Sequence, residues 1–184
     1  MSDEIIRQAR LSDAERILEI YAYYVTNTAI SFEYDVPELA EFQKRMKATM
    51  EKYPYLVIEK DGILQGYAYA APFHERAAYS RSCELSIYLA PESRKCGYGR
   101  KLYGELEKQL REGKARPSEI LNLYACIAYT QREDEYLDNN SAGFHEHMGF
   151  GQVGYFHKCG YKFGRWYDMI WMEKMIGEHL DENV

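Results

Sequence analysis

The chain has 184 residues, a length that fits one domain with a core around a sheet and room for a ligand pocket. Its 46% hydrophobic and 28% charged residues are typical of a globular protein, and since no linker, repeat or low-complexity tract divides it, we expect a single domain over residues 1–184. The formal net charge of −6 argues against nucleic acid as the main partner, because binding to a phosphate backbone depends on an excess of Lys and Arg.

The N-terminal part of the chain predicts a strand followed by two helices. Its first residues lack the basic and apolar segments of a secretory signal, and a strand is predicted over 4–9. Ser12 and Glu15 have the spacing of a capping box, and apolar residues at helical spacing predict a first helix that ends near Asn27. A second helix is predicted with Pro37 in its first turn, where the missing N–H of proline would have no helical partner.

The middle of the chain predicts a hairpin, a further strand and a third helix. Strand-like residues 55–60 and 63–71 flank Asp61-Gly62, which is a strong signal for a two-residue turn. Residues 83–89 predict another strand, which a proline follows. Residues 98–112 predict a helix with leucines along one side.

The last third of the chain predicts three more strands and a short helix. A mostly apolar strand is predicted over 120–127, a polar acidic surface loop over 130–138 and a helix over 141–148. Two closing strands are predicted within 152–175, with a turn near Gly164. The order β-α-α-β-β-β-α-β-α-β-β predicts an α/β fold of the α+β mixed-sandwich type, with a central mixed sheet and helices on both faces.

Cysteine and tyrosine usage narrows the setting of the protein. Its four cysteines, at positions 83, 96, 126 and 159, have no metal-ligand spacing, so we expect reduced thiols in the cytoplasm, without disulfides and without a metal. No apolar run approaches the length of a membrane span, and no membrane partner is expected. Some of the eighteen tyrosines are predicted to line a pocket; half-buried strand positions are the alternative.

The turn before the third predicted helix carries the clearest binding signal. It reads Arg94-Lys95-Cys96-Gly97-Tyr98-Gly99 and is followed by Arg100 and Lys101. A helix N-terminus offers unpaired N–H groups and a partial positive charge, and glycines let a diphosphate approach the backbone. The pattern is neither a P-loop, which needs Lys-Ser/Thr after the last glycine, nor a complete Rossmann fingerprint. A plain tight turn is the alternative.

This strand, turn and helix resemble the acyl-CoA diphosphate motif of the GNAT superfamily of N-acetyltransferases. Residues 141–150 are similar to the superfamily's second conserved helix, which ends in Gly-Phe. Further segments resemble the phosphinothricin acetyltransferase branch and its L-amino-acid N-acyltransferase relatives, among them Tyr67-Ala-Tyr-Ala-Ala-Pro-Phe and Gly164-Arg-Trp-Tyr-Asp168. The resemblance spans about residues 5–174. It implies a GNAT fold, acetyl-CoA as co-substrate and a small amine substrate such as phosphinothricin, methionine sulfone or methionine sulfoximine.

The resemblance implies two catalytic side chains. Glu84 matches the branch's general base, and the reaction needs one because an α-ammonium group with a pKa near 8 is only about one-tenth neutral at pH 7. His145 stands where many superfamily members carry Tyr, and it could protonate the CoA thiolate or help to remove the proton of the amine. The alternatives are an exposed strand carboxylate at Glu84 and a surface or capped histidine at His145.

Four residues are implied to contact the amine substrate. Arg76 and Tyr79 match positions that bind acidic groups of the substrate, a role that suits the planar guanidinium of Arg. His74 stands where close relatives often carry Lys, which leaves the preferred substrate side chain open. Phe32 resembles a pocket aromatic of the branch, with plain core packing as the alternative.

The implied acetyl-CoA contacts lie on the central strand and at two helix starts. The backbone amides of Ile87 and Leu89 are implied to hold the pantetheine and polarise the thioester carbonyl. The diphosphate turn supplies Arg94, Lys95, Cys96, Gly97, Tyr98, Gly99 and Arg100. Cys96 at a helix N-terminus leaves a covalent acyl relay open, but direct transfer needs no such step. Asp138 stands where the second motif commonly has Asn, and Asn139 or Asn140 could substitute with a shift in register; of these, Asn140 is the predicted contact.

Two rival functions remain from the sequence. Protein or peptide N-terminal acetylation needs an open groove, which the long acidic loop around residues 133–135 could border. A catalytically silent acyl-CoA-binding sensor would keep the fold without turnover, although the presence of both Glu84 and His145 speaks against it. A homodimer is also expected, from the branch and from the aromatic residues near Phe32 and Tyr34.

Overall fold

Seven strands form one mixed sheet in the computed structural model, which describes residues 4–113, 115 and 119–181. The strands are β1 (Glu4–Gln8), β2 (Tyr55–Lys60), β3 (Ile63–Pro72), β4 (Ser82–Leu89), β5 (Asn122–Tyr129), β6 (Gly151–Lys162) and β7 (Arg165–Met175). Their order across the sheet is β1-β2-β3-β4-β5-β7-β6, and every neighbouring pair is antiparallel except β4 and β5, which are parallel. The predicted mixed sheet is confirmed.

Four helices cover the two faces of the sheet. They are α1 (Ala14–Asn27), α2 (Leu39–Met50), α3 (Tyr98–Arg111) and α4 (Asn140–His147). Alternate residues of a strand point to opposite faces, and on β2 Leu56 and Ile58 join the core of α3 whereas Tyr55 and Val57 join the core of α1 and α2. The predicted helices on both faces, and the predicted order of strands and helices, are confirmed.

The start of α1 differs from the sequence prediction. A short 3-10 turn over Leu11–Asp13 precedes the helix, and Asp13 rather than Ser12 occupies the N-cap position. The Asp13 carboxylate accepts the backbone N–H of Arg10 at 2.7 Å and pairs with Arg7 at 2.7 Å. The predicted capping box of Ser12 and Glu15 is therefore wrong, because a carboxylate already held by an arginine organises this end of the helix.

Two other predicted boundaries shift. Pro37 lies outside α2, since Glu38 has extended dihedral angles as the N-cap residue and the helix begins at Leu39. The fifth strand begins at Asn122 rather than at residue 120, because the backbone N–H of Leu121 turns aside to donate to the carbonyl of Arg81 at 2.8 Å.

The one parallel pair of strands opens into a wedge. β4 and β5 are paired only at Ser82–Glu84 and Asn122–Tyr124. Beyond these residues the two strands separate, and the segments that follow their far ends lead to α3 and α4. The gap between 85–89 and 125–129, called the wedge below, leaves backbone groups of two strands available to a ligand in the middle of the sheet.

Gly66 allows β3 to lie close against β4, and its replacement by Ala is expected to destabilise the fold. A Cβ at Gly66 would clash with Leu89 Cδ2 and lie 2.9 Å from the backbone oxygen of Tyr88. We expect a loss of about 2 kcal/mol in the free energy of unfolding, the usual scale for overpacking, measured by urea denaturation. Gly104→Ala is the control: Gly104 lies in α3 with nothing within 4 Å of a Cβ, and Ala should stabilise this helix by about 0.5–1 kcal/mol. Equal stability of the two variants would contradict the close contact.

Candidate active site

Side chains from both faces of the sheet line the wedge. Tyr103 and His145 approach from the face of α3 and α4, whereas Ser86 and Cys126 belong to the opposite face. The wedge therefore opens onto both faces of the sheet. The full lining consists of Ile30, Leu85, Ser86, Ile87, Tyr88, Tyr103, Ala125, Cys126, Ile127, Ala128, Ser141 and His145.

The predicted diphosphate turn lies at the start of α3. Gly97 is the N-cap residue with a φ of 80°, in the left-handed region that favours glycine, and no side chain caps the helix. The first-turn amides are thus open to an anion. A Cβ at Gly99 would lie 3.2 Å from the ring of Phe144 and 3.5 Å from Ile87 Cδ1, so this glycine lets α3 pack closely against α4 and β4.

Three basic side chains near this turn differ in their contacts and exposure. The guanidinium of Arg94 lies over the rings of Tyr23 and Tyr24, at 5.6 and 5.2 Å from their centroids, which places it between α1 and the turn. Lys95 is exposed and has a φ of 62°. Arg100 is also exposed, at the third position of α3. These three cations remain available to a phosphate.

Three other residues at the turn have different surroundings. Lys101 forms an ion pair with Glu4 of β1 and so turns away from the helix start. Cys96 is exposed, and its Sγ lies 3.6 Å from the backbone oxygen of Arg94. Tyr98 is buried in the core and contributes its backbone rather than its side chain to the turn.

The two strand amides implied to hold pantetheine differ in their surroundings. The N–H of Ala90 donates to Gln65 of the β3 side at 2.8 Å, so by alternation Ile87 and Leu89 face the wedge. Tyr24 binds Leu89 at both backbone groups: its hydroxyl donates to the Leu89 oxygen at 2.6 Å and accepts the N–H at 3.3 Å. Tyr24 is a site residue that the sequence analysis did not identify.

Glu84 lies at the last paired position of β4, where the wedge opens. It is half-buried on the face of α1 and α2, and in the described part of the chain its side chain makes no hydrogen bond or ion pair. Burial raises the pKa of Glu84 above its usual value. A carboxylate that is partly desolvated and unpaired binds a proton more strongly, as a general base for an ammonium group requires.

His145 is buried, with only 3% of its surface exposed, and both ring nitrogens have partners. Nδ1 lies 2.7 Å from the backbone oxygen of Ser141 and Nε2 lies 2.9 Å from the hydroxyl of Tyr103. Burial lowers the pKa of His145 below 6.5. His145 is thus neither a surface residue nor a helix cap.

Aromatic residues connect the β3–β4 loop to the region of Glu84. Phe73 stacks on Tyr124 with ring centroids 4.2 Å apart, and Tyr124 stands opposite Glu84 in the β4–β5 pairing. His74 and Tyr79 lie 4.3 and 5.6 Å from Phe73 by ring centroids. The predicted substrate residues His74 and Tyr79 therefore belong to one aromatic cluster beside the candidate base.

The other two predicted substrate residues have distinct positions. Arg76 is exposed at the start of the 3-10 turn Ala77–Tyr79, and its guanidinium has no partner among residues 4–113, 115 and 119–181. Phe32 packs over Gly160 of β6, where any Cβ would clash with the ring. Ile30 rather than Phe32 lines the wedge.

The start of α4 is fixed by two asparagines. Asn139 joins the end of β5, since its side chain donates to the oxygen of Thr130 at 2.9 Å and accepts the N–H of Thr130 at 3.2 Å. Asn140, the predicted cofactor contact, has its side-chain nitrogen 2.5 Å from Asp138 Oδ2. Asn139 takes the linking role between strand and helix, whereas the amide of Asn140 is engaged by Asp138.

The loop over residues 130–138 folds against β7. Arg165 pairs with Asp134 at 2.8 Å and with Glu135 at 2.9 Å. The backbone oxygen of Tyr136 accepts the N–H of Ala29 at 2.9 Å, next to the wedge residue Ile30. Arg165 thus compensates part of the acidic charge of the loop, and the loop supports the rim of the wedge.

The described residues show neither a candidate metal cluster nor a helix that could span a membrane, and their cysteines are unpaired. Among the residues with described structure, no three His, Cys, Asp or Glu side chains cluster closely enough to hold a metal ion. No helix of the described ranges has both the length and the apolar character that crossing a membrane requires. All four cysteines are free thiols; Cys83 is buried and the other three are exposed.

Comparison with known proteins agrees with this geometry. The model of the acetyltransferase (GNAT) domain family matches residues 6–171. The phosphinothricin N-acetyltransferase of Alcaligenes faecalis is 35% identical over 172 residues, 93% of this chain and 82% of the relative. A phosphinothricin acetyltransferase structure from Sinorhizobium meliloti in complex with AcCoA superposes with a TM-score of 0.83, at 32% identity over 95% of this chain and 89% of that one.

A second solved structure carries a different name. The ribosomal-protein-alanine N-acetyltransferase from Brucella melitensis superposes with a TM-score of 0.83, at 31% identity, and the match covers 94% of this chain and 99% of that one. Three findings support the same family. The sheet opens between β4 and β5, the glycine turn at α3 has no side-chain cap, and the family model matches most of the chain. The chain belongs to the GNAT acetyltransferase family, in the branch that contains phosphinothricin N-acetyltransferases and L-amino acid N-acyltransferases.

Proposed function

We propose that the protein transfers the acetyl group of acetyl-CoA directly to the amino group of a small amino-acid-like substrate. The observation that carries this proposal is the position of Glu84. It is half-buried and unpaired within the described chain, and it lies where β4 and β5 separate, beside the wedge. An amine approaching along the face of α1 and α2 would meet this carboxylate before it reaches a thioester held in the wedge.

The chemistry divides between the two sides of the wedge. Glu84 accepts a proton from the ammonium group, directly or through water, because only the neutral amine has a lone pair for attack on the thioester carbon. The backbone N–H of Ile87 on β4 suits the pantetheine and the developing oxyanion, whereas the N–H of Leu89 would first have to exchange its bond to the Tyr24 hydroxyl. The first turn of α3, with Arg94, Lys95 and Arg100 around it, suits the diphosphate of CoA, and direct transfer leaves Cys96 without a covalent role.

Arg76 is proposed to bind the carboxylate of the substrate, with Tyr79 beside it. Arg76→Met should raise the KM for the amine about 10- to 100-fold and leave the KM for acetyl-CoA unchanged, since the loss of one charge-assisted hydrogen bond costs about 1.5–3 kcal/mol. Steady-state kinetics with each substrate varied in turn measures both. Arg81→Met, which removes another exposed arginine near the same loop, is the control. A matching rise in KM for both variants would contradict a specific role of Arg76.

A panel assay tests the proposed function. The protein is mixed with acetyl-CoA and separately with amino acids, methionine sulfone, methionine sulfoximine and phosphinothricin, while free thiol is followed over time. Thiol release that depends on at least one amine, with the N-acetylated product identified by mass spectrometry, is the expected result. Silence across the panel would contradict the proposal.

A second candidate, N-terminal acetylation of a protein, is favoured by one observation. A structural relative at 31% identity is named ribosomal-protein-alanine N-acetyltransferase. The acidic loop weighs against it, because Asp134 and Glu135 share an ion pair with Arg165, which reduces the charge that they present to a peptide. Mass spectrometry of peptides incubated with enzyme and acetyl-CoA separates the two functions, since a small-molecule enzyme leaves peptides unmodified.

We further propose a homodimer in the cytoplasm. Tyr34 is 65% exposed and its hydroxyl donates to the backbone oxygen of Tyr161 at 2.5 Å, while Trp166, 60% exposed, packs on the Tyr161 ring. Exposed aromatic groups of this kind are typical of contact surfaces. Light scattering that gives the 21.6 kDa mass of one chain would contradict the dimer. The free thiols and the use of acetyl-CoA support a reducing compartment.

A further inference from the structure

The hydrogen bonds of His145 fix which ring nitrogen carries the proton. The backbone oxygen of Ser141, 2.7 Å from Nδ1, can only accept, so Nδ1 carries the hydrogen. In a neutral imidazole Nε2 is then the acceptor, and the hydroxyl of Tyr103, 2.9 Å away, donates to it. His145 therefore has no proton on Nε2 to give to a leaving group directly.

Tyr103 and His145 form a neutral pair within the wedge. Both line it, and their exposed fractions are only 2% and 3%. Burial raises the pKa of Tyr103 well above 10 and lowers the pKa of His145, so each side chain favours its uncharged form. The pair lies on the face of α3 and α4, opposite to Glu84. Glu84 and the pair would therefore act on different protons of the reaction.

We propose that Tyr103 is a catalytic residue that exchanges a proton with the reacting atoms, and that His145 acts through it. The inference rests on the proposed acetyl transfer. It assigns the contact with the thioester to Tyr103 on α3, whereas the resemblance in sequence implied that His145 makes this contact. His145 is then a positioning residue and the temporary acceptor of the proton.

The proton and electron count of the step is complete. After Glu84 has taken the ammonium proton, the amine nitrogen bonds to the thioester carbon and the carbonyl electron pair moves to oxygen. The nitrogen, now cationic, gives one proton to the Tyr103 oxygen while the Tyr103 proton passes to Nε2 of His145. When the carbonyl re-forms, the C–S bond breaks with its electrons on sulfur, and the proton returns from Nε2 through Tyr103 to sulfur. One proton has moved from nitrogen to sulfur, and no other reactant is needed.

The experiment compares single and double variants of the full-length enzyme. Tyr103→Phe should lower kcat at least about tenfold while the Kd for acetyl-CoA, measured by calorimetry, stays unchanged. If His145 acts through Tyr103, the double variant with His145→Phe should be no slower than Tyr103→Phe alone, since members of one catalytic unit are not additive. Tyr53→Phe, which removes a hydroxyl from the same core cluster away from the wedge, should retain wild-type kcat.

A measurement on the wild-type protein, which needs no turnover, tests the proton path even if a variant fails to fold. Nitrogen-15 NMR of the wild-type His145 side chain at pH 7 should show hydrogen on Nδ1 and an unprotonated Nε2. Hydrogen on Nε2 would overturn the proton path, as would a kcat of Tyr103→Phe equal to that of Tyr53→Phe or additive losses in the double variant. A wild-type protein that is silent with every amine would overturn the acetyl transfer and the proton path together, whereas an active wild type unaffected by Tyr103→Phe would overturn the proton path alone.

Discussion

Glu84→Gln is expected to lower kcat about 1000-fold with the affinity for acetyl-CoA unchanged. Gln keeps the size of the side chain and removes its capacity to accept a proton, and general base catalysis commonly contributes 10² to 10⁴-fold. Rapid mixing with thiol detection measures kcat, and calorimetry measures binding of acetyl-CoA. Glu146→Gln, on the exposed side of α4, is the matched control and should retain full activity.

The pH profile gives a second readout of the same variant. Glu84 acts as a base only when ionised, and burial raises its pKa, so wild-type kcat should fall as the pH drops through that raised value, which lies above the usual 4.5. The Gln variant should lose this acidic limb and keep its low rate across the range. An acidic limb that persists unchanged in the variant would assign the titration to another group and contradict the role of Glu84.

Gly97→Asp is expected to weaken CoA binding about 100-fold relative to Gly97→Asn. A Cβ at Gly97 meets nothing within 4 Å, so either side chain projects into the open region at the start of α3. Asp and Asn are similar in size and both tolerate the left-handed backbone, so the pair differs chiefly by one negative charge. At about 4 Å from a phosphate such a charge costs up to about 4 kcal/mol at an effective dielectric constant of 20, and screening by salt reduces this.

Calorimetric titration with CoA at low and high salt measures the difference between these two variants. The gap should narrow as salt rises, because exposed charges are screened. Equal affinities of the Asp and Asn variants would show that no phosphate approaches the first turn of α3.

Local sequence signals predicted much of the fold and the cofactor side of the site. Asp61 and Gly62 form the expected hairpin turn, with φ angles of 52° and 78°, because few residues other than Gly, Asn and Asp accept such angles. The left-handed Gly97 at the start of α3 follows from the same restriction. Glu84 lies on β4, within the strand predicted over residues 83–89.

The partners of several site residues could not be predicted, because they lie far apart in the chain. Tyr24 binds Leu89 across 65 positions, and Tyr103 meets His145 across 42. Each is a tyrosine at a helical core position, which spacing alone assigns to packing. Whether such a hydroxyl group contacts a backbone group or an imidazole depends on how the helices cross the sheet. Local sequence patterns carry no information about this crossing.

Lys162 shows that the burial of a charged residue could not be predicted from the sequence. Lysine is expected on the surface, yet Lys162 is buried, and its ammonium donates to the backbone oxygens of Val25, Thr28 and Ser31 at 2.6–2.9 Å. These bonds hold the end of α1 and the segment with Ile30 against β6, at the edge of the wedge. Only the tertiary arrangement supplies three carbonyl groups to one ammonium, so the burial of Lys162 could not be predicted from local patterns.

A crystal structure of the complex with acetyl-CoA tests the central claim most directly. The account predicts pantetheine between β4 and β5, the diphosphate against the first-turn amides after Gly97, and the acetyl group between Glu84 and Tyr103. A cofactor bound outside the wedge, or a thioester remote from Glu84, would contradict it.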